Sequence, residues 1–269
     1  MKALHEIREA VRKKQPLIHC ITNPISINQC ANGILAIGAR PMMAEHPQEV
    51  REITETAGAL MLNLGNITDA RMDAMKISLQ AAKEKHIPVM LDAVGIACSR
   101  LRRDYMAALL EIGIPTVIKG NYSEVYALYH DAYRASGVDA DASINAASIR
   151  HAAAELARKY QTTILASGKI DIITDGTRIV QVQNGTPLLS AVTGTGCLLG
   201  ALCGAYLSVA ADMNAAISAC VVLGVCGQIA ETPKGSGSFM VNLMDALSTL
   251  TDAQLDQYKD IEEIPYEKF

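Results

Sequence analysis

Ala59-Leu60-Met61-Leu62-Asn63-Leu64-Gly65-Asn66 is followed by a helical pattern over 69–85 and then by Pro88-Val89-Met90-Leu91-Asp92-Ala93-Val94-Gly95. Two apolar runs, each too short for a helix, end in small or polar residues, and a 3.6-residue period lies between them. A strand, a helix and a second strand in this order make a crossover unit, so the two strands run parallel. The same alternation continues on both sides. Pro16-Leu17-Ile18-His19-Cys20-Ile21 reads as a buried strand ending at Thr22-Asn23-Pro24, with Ser26 placed to cap the next helix. Thr116–Ile118 and Thr162–Ala166 read as further strands, ending at Lys119-Gly120-Asn121 and Ser167-Gly168, and helical patterns fall over 2–13, 47–57, 101–112 and 145–160. The fold class is therefore α/β, a mostly parallel central sheet flanked by helices.

Ile170–Thr174 and Arg178–Gln183 flank Asp175-Gly176-Thr177, which predicts a hairpin extending the sheet antiparallel. A helix pair over 197–230 and a final amphipathic helix over 241–258 close the chain, and 131–143 reads as an exposed loop. No linker or repeat interrupts the pattern, so residues 1–269 are expected to form one domain. In such sheets ligands bind beyond the carboxyl ends of the strands, which directs attention to the polar clusters just quoted.

Composition narrows the function classes. Half of the 269 residues are hydrophobic but only 4% are aromatic, with no Trp, two Phe and eleven Met, so the core is aliphatic and stacking platforms for single-stranded nucleic acid are lacking. A net charge of −4 gives no electrostatic footing for nucleic acid or an anionic membrane. Seven cysteines without CxxC spacing read as reduced, mostly buried thiols of a cytoplasmic protein. The uncharged runs Ser190–Ala211 and from Met213 to Ala230 are long enough to span a bilayer, yet their Gly, Ala, Ser and Cys content predicts two close-packed helices inside a core.

Val192-Thr193-Gly194-Thr195-Gly196-Cys197-Leu198-Leu199 is the strongest local signal. Glycines at a helix start let the backbone N–H groups of Gly194, Thr195 and Gly196 converge on an anion, and the helix field there favours a thiolate at Cys197. The same residues also read as a plain glycine turn with a buried cysteine. Asn121 and Glu124 have the spacing of a capping box. With Asp92, Glu124 also forms a pair of strand-end acids of the kind that suits Mg²⁺, which takes few protein ligands and keeps its waters.

Thr22-Asn23-Pro24, Gly38–Ala44, Asn63-Leu64-Gly65, Leu91–Gly95, Lys119–Glu124 and Val192–Cys197, in this order, resemble the hydroxyethylthiazole kinases of thiamine biosynthesis, within the ribokinase-like kinases. The resemblance runs from about residue 15 to Gly235-Ser236-Gly237-Ser238-Phe239. It implies transfer of a phosphoryl group from ATP, with Mg²⁺, to the hydroxyl of 4-methyl-5-(2-hydroxyethyl)thiazole. It places ATP at Lys119 and Ser167, the thiazole at Met43, Gly194 and Asn23, the metal at Asp92 and Glu124, and the catalytic base at Cys197. It also implies a homotrimer with sites between subunits, in which Asn23 serves a neighbour's substrate. The chain departs from the family in carrying Lys119 where many members have Arg, and Ala93 where many have Pro.

Three other readings stay open on the residues alone. One is a kinase for another vitamin-precursor alcohol, hydroxymethylpyrimidine or pyridoxal. Another is a cysteine hydrolase or acyltransferase built on Cys197, which needs an orienting histidine. The third is a non-catalytic nucleotide- or vitamin-binding protein. His19 reads as a strand histidine satisfied by its surroundings and His46 as exposed.

Overall fold

The computed structural model describes residues 2–130 and 146–265. The chain runs α1 (Lys2–Lys14), β1 (Leu17–Ile21), α2 (Ile27–Ala36), β2 (Arg40–Met42), α3 (Val50–Thr56), β3 (Ala59–Asn63), α4 (Asp69–Glu84), β4 (Val89–Asp92), α5 (Arg100–Ile112), β5 (Val117–Asn121) and α6 (Tyr122–Tyr129). It continues through α7 (Ala146–Tyr160), β6 (Thr163–Ser167), β7 (Asp171–Thr174), β8 (Ile179–Val182), α8 (Pro187–Ser190), α9 (Thr195–Leu207), α10 (Met213–Ile229), α11 (Ser236–Thr249), α12 (Asp252–Tyr258) and β9 (Ile261–Ile264).

Among the described residues nine strands form one sheet in the order β2-β1-β3-β4-β5-β6-β7-β8-β9. Every pair from β2 to β6 is parallel, and β6–β7, β7–β8 and β8–β9 are antiparallel. The expected parallel sheet with its antiparallel extension is thus present, with Asp175 Oδ1 accepting from the N–H groups of Thr177 and Arg178 in the β7–β8 turn.

The pleat sorts the strands between two cores. Ile18, Cys20, Ala59, Met61, Met90, Val117 and Leu165 face α1, α2, α9, α10 and α11. Ile21, Leu60, Leu62, Leu91, Ile118 and Ile164 face the side of α3, α4, α5 and α7. Both faces are covered, which is why these strands read as continuous apolar runs rather than alternating ones. The two uncharged stretches are α9 and α10, buried along nearly their whole length, and no helix among the described residues is long and apolar enough to cross a membrane.

Small residues let α9 lie close on the sheet. A Cβ on Gly200 would fall 2.8 Å from Met90 Cε and 3.0 Å from Met61 Cε, and one on Gly204 would fall 3.3 Å from Met61 Cβ. Gly196, Gly200 and Gly204, four residues apart, therefore form the sheet-facing stripe of α9.

The structure departs from the sequence reading in several places. The final helix is two helices: Thr251 and Gln254 form a capping box that restarts the chain as α12 after a break at Leu250. Three short elements, β2, α8 and β9, had no sufficient local pattern. Ser26 stands at the N-cap of α2, but its hydroxyl donates to Asn23 O at 3.3 Å instead of capping. The expected loop at 131–143 lies outside the described residues.

Candidate active site

Three side chains stand side by side at the carboxyl edge. The parallel register pairs Asn63 with Asp92 and Asp92 with Lys119, and each lies two residues beyond a residue of the first core: Met61, Met90 and Val117. A period of two puts all three on the face that α9 covers. Lys119 Nζ donates to Asp92 Oδ1 and Oδ2 at 3.1 and 3.0 Å, and Asn63 Nδ2 donates to Asp92 Oδ2 at 3.0 Å.

α9 delivers Cys197 to this row in its first turn. Gly194, at the N-cap, has φ +89°, where an L side chain is strained, and a Cβ there would overlap Gln29 Oε1. Side chains cap α5, α6 and α10 through Ser99, Asn121 and Asp212, whereas α9 has no capping side chain, so its first-turn amides are left to another acceptor. Cys197 Sγ accepts from Asn23 Nδ2 at 3.1 Å and from Asn63 Nδ2 at 3.4 Å. The cluster thus gathers the ends of β1, β3, β4 and β5 around the head of one helix.

Glu124 stands one loop away. Its Oε2 accepts from Asn121 N at 2.7 Å, completing the expected capping box, and its Oε1 accepts from Gly95 N at 2.7 Å, tying the loop after β4 to the start of α6. Burial, reinforced by the charge of Asp92, pushes its carboxyl up to about 7, against the pull of Lys119 and the two N–H donors. Burial also raises the Asp92 carboxyl, opposed by Lys119 and Asn63. Burial works against the Lys119 ammonium too, but the carboxylates of Asp92 and Glu124 outweigh it and hold its pKa above the ordinary lysine value. Two buried acids thus share one buried cation.

Beside the cluster opens a cavity of about 570 Å³, lined by Ser167, Asp171, Asn184, Thr195, Gly196 and Gly224 among others. Its wall is tight: a Cβ on Gly224 would lie 2.6–2.7 Å from Asn184 Cβ, C and O. Half-buried Asp171 accepts from Gly168 N at 3.0 Å, and burial raises its carboxyl to about 6. Gly196 joins cavity to cluster, since a Cβ on it would sit 3.7 Å from Lys119 Nζ.

Residues 8–253 match the Hydroxyethylthiazole kinase family. Hydroxyethylthiazole kinase 2 of Clostridium botulinum (strain 657 / Type Ba4) is 43% identical over 256 residues, covering 92% of this chain and 95% of the relative. The chain belongs to the hydroxyethylthiazole kinase family. The solved structure of the hydroxyethylthiazole kinase protein from Pyrococcus horikoshii OT3 is similar throughout, with a TM-score of 0.91 at 33% identity over 98% of this chain and 100% of that one. The Staphylococcus aureus pyridoxal kinase in complex with ADP shares the ribokinase-like fold alone, with a TM-score of 0.64 at 13% identity over 92% of this chain and 97% of that one.

The residues expected from the family resemblance are gathered unequally. Cys197, Asn23, Asp92 and Lys119 meet in one cluster, with Glu124 at its border. Thr195, Gly196 and Ser167 line the cavity, but Lys119 turns instead to Asp92. Met43 follows β2 at the same edge, half-buried against the first core and outside the cavity wall. Asn23 reaches Cys197 of its own chain. Asp92 is fully buried, not open to the site as a free strand-end carboxylate would be.

In the sequence Asn63 stands out only as part of the Asn63-Leu64-Gly65 motif. The signal for its role was available: it is the last residue of a strand whose pleat puts it on the face of Met61. Among the described residues no histidine bonds Cys197. His19 is buried between Thr54 Oγ1 at 2.8 Å and Ala44 O at 3.0 Å, and burial lowers its pKa. The hydrolase reading therefore lacks its orienting base.

Proposed function

We propose that this chain phosphorylates the hydroxyl of 4-methyl-5-(2-hydroxyethyl)thiazole with ATP and Mg²⁺, as a single kinase domain acting in the cytoplasm. The observation that carries this reading is Cys197, held by two asparagine amides at the uncapped head of α9, whose first turn also lines the 570 Å³ cavity through Thr195 and Gly196. The identity to named hydroxyethylthiazole kinases supports the substrate.

In this reading the nucleotide occupies the cavity, with Ser167 beside its phosphates and the amides of Gly194, Thr195 and Gly196 receiving the transferred phosphoryl group. Charge that builds on phosphate oxygens meets fixed N–H dipoles there, which need no reorganisation as the reaction proceeds. Lys119, kept charged by its acids, adds a point charge beside Gly196. The hydroxyl oxygen bonds to the γ-phosphorus as the bond to the ADP oxygen breaks, and the hydroxyl proton passes to Cys197 Sγ. Because such transition states are largely dissociative, this transfer contributes a modest share of the rate.

Among the described residues no three His, Cys, Asp or Glu side chains gather to hold a metal alone. Both oxygens of Asp92 and both of Glu124 already accept hydrogen bonds, so these two acids would hold Mg²⁺ through its waters, with phosphate oxygens completing its shell. When bound, it neutralises phosphate charge and orients the nucleotide.

A homotrimer with sites at subunit borders belongs to the same proposal. Ile25 and Leu35 are 59% and 56% exposed, and Ile25 lies two residues from Asn23. Exposed apolar Ile25 so near Asn23 supports a covering subunit.

The test of substrate class is turnover of the thiazole alcohol, hydroxymethylpyrimidine and pyridoxal in parallel. The thiazole monophosphate is expected as the main product, and chelation should abolish it. Preferred turnover of either other alcohol would assign the chain to that substrate instead.

A further inference from the structure

Asn23 and Asn63 are oriented by the same device. Asn63 ends β3 and Asn23 stands two residues beyond β1, and each has its amide oxygen engaged by the N–H two residues on. Ile25 N donates to Asn23 Oδ1 at 3.1 Å, and Gly65 N donates to Asn63 Oδ1 at 2.8 Å. A flipped amide would set donor against donor, so both orientations are fixed by backbone. Both NH₂ groups must then face inward. Asn63 Nδ2 donates to Asp92 Oδ2 and Cys197 Sγ, and Asn23 Nδ2 donates to Sγ and to Asn63 Oδ1 at 3.3 Å. The sulfur therefore receives two amide donors. Aspartate would satisfy the turn N–H at either position equally well, but it could not also donate to sulfur.

We propose that Asn63, together with Asn23, is a positioning residue that holds the sulfur of Cys197 as a hydrogen-bond acceptor and ties it to Asp92. The catalytic consequence rests on the reading of Cys197 as proton acceptor, whereas the hydrogen-bond polarity rests on the two turns alone. With two N–H donors on it, the sulfur keeps its lone pairs directed and its anionic form stabilised, ready for the hydroxyl proton.

The test is iodoacetamide alkylation of the full folded chain, read at Cys197 by peptide mass spectrometry, with exposed Cys98 as internal reference. Asn63→Asp and Asn23→Asp both keep the turn acceptor and remove a donor from sulfur. Losing one such bond leaves the sulfur less firmly directed and its negative charge less stabilised as it attacks. The expectation is alkylation of Cys197 slowed about threefold or more relative to Cys98. kcat should fall with it. If one variant fails to fold, the other carries the same expectation. An unchanged Cys197-to-Cys98 ratio in a folded variant would overturn the proposal. Slowed alkylation with unchanged kcat would uphold the acceptor role and remove Cys197 as the base.

Discussion

Lys119 Nζ reaches both carboxylate oxygens of Asp92, at 3.1 and 3.0 Å, between side chains that are 5% and 0% exposed. The parallel register that pairs these residues brings their opposite charges together out of water. Removing one charge of such a pair leaves the other buried and uncompensated, at a cost of about 3–5 kcal/mol.

Asp92→Asn is therefore expected to lower stability by about that amount and to abolish turnover. Asp92→Asn with Lys119→Met removes both charges and should recover most of the stability in denaturant unfolding. It should not recover activity. A double variant that turned over substrate would make the pair purely structural.

Glu124 sets a pH dependence of stability whose sign follows from its shift. Burial holds its carboxyl at about 7, above the ordinary glutamate value of 4.5. Between these values the unfolded chain has lost the proton and the folded chain keeps it, so stability falls as pH rises through this window and levels off above about 7. In metal-free protein the loss is on the order of 3 kcal/mol. Glu124→Gln should flatten this part of the profile in unfolding experiments at about pH 5 and pH 8. An equal slope in the variant would assign the dependence to other groups.

Assembly is open to a direct check. Light scattering at micromolar concentration should give about three times the 28.7 kDa chain mass. A monomer would remove the shared-site proposal. Since Asn23 contacts Cys197 of its own chain, mixed Asn23→Ala and Cys197→Ala trimers should show no complementation. Restored activity would instead place Asn23 on a neighbour's site.

The architecture was legible because apolar runs of strand length alternate with helical periods, and each long run became a strand of the sheet. The short pieces were not. β2 (Arg40–Met42) has three residues around a proline, and β9 (Ile261–Ile264) places two glutamates on an edge strand, so neither carries a hydrophobic pattern. At the site, Cys197 announced itself through the glycines before it, and Asn121 and Glu124 through capping spacing. What the sequence left hidden was register: that Asn63, Asp92 and Lys119 align across three strands depends on pairing, which no local window contains. The orientation of Asn23 was equally hidden, because it follows from a turn closing back on its own side chain.

Single-turnover transfer from ATP to the thiazole alcohol, with wild type beside Cys197→Ala, Cys197→Ser and Cys197→Asp, tests the account most directly. Wild type should form the monophosphate stoichiometrically. Ala and Ser should slow the step by at most roughly 10²–10⁴-fold with ATP binding retained, because the amides and charges of the site remain. Asp, an ionised acceptor, should keep the activity or raise it. Cys197→Ala at the wild-type rate would contradict the assignment of the proton to Cys197 and leave the first-turn amides of α9 and the metal as the catalytic apparatus.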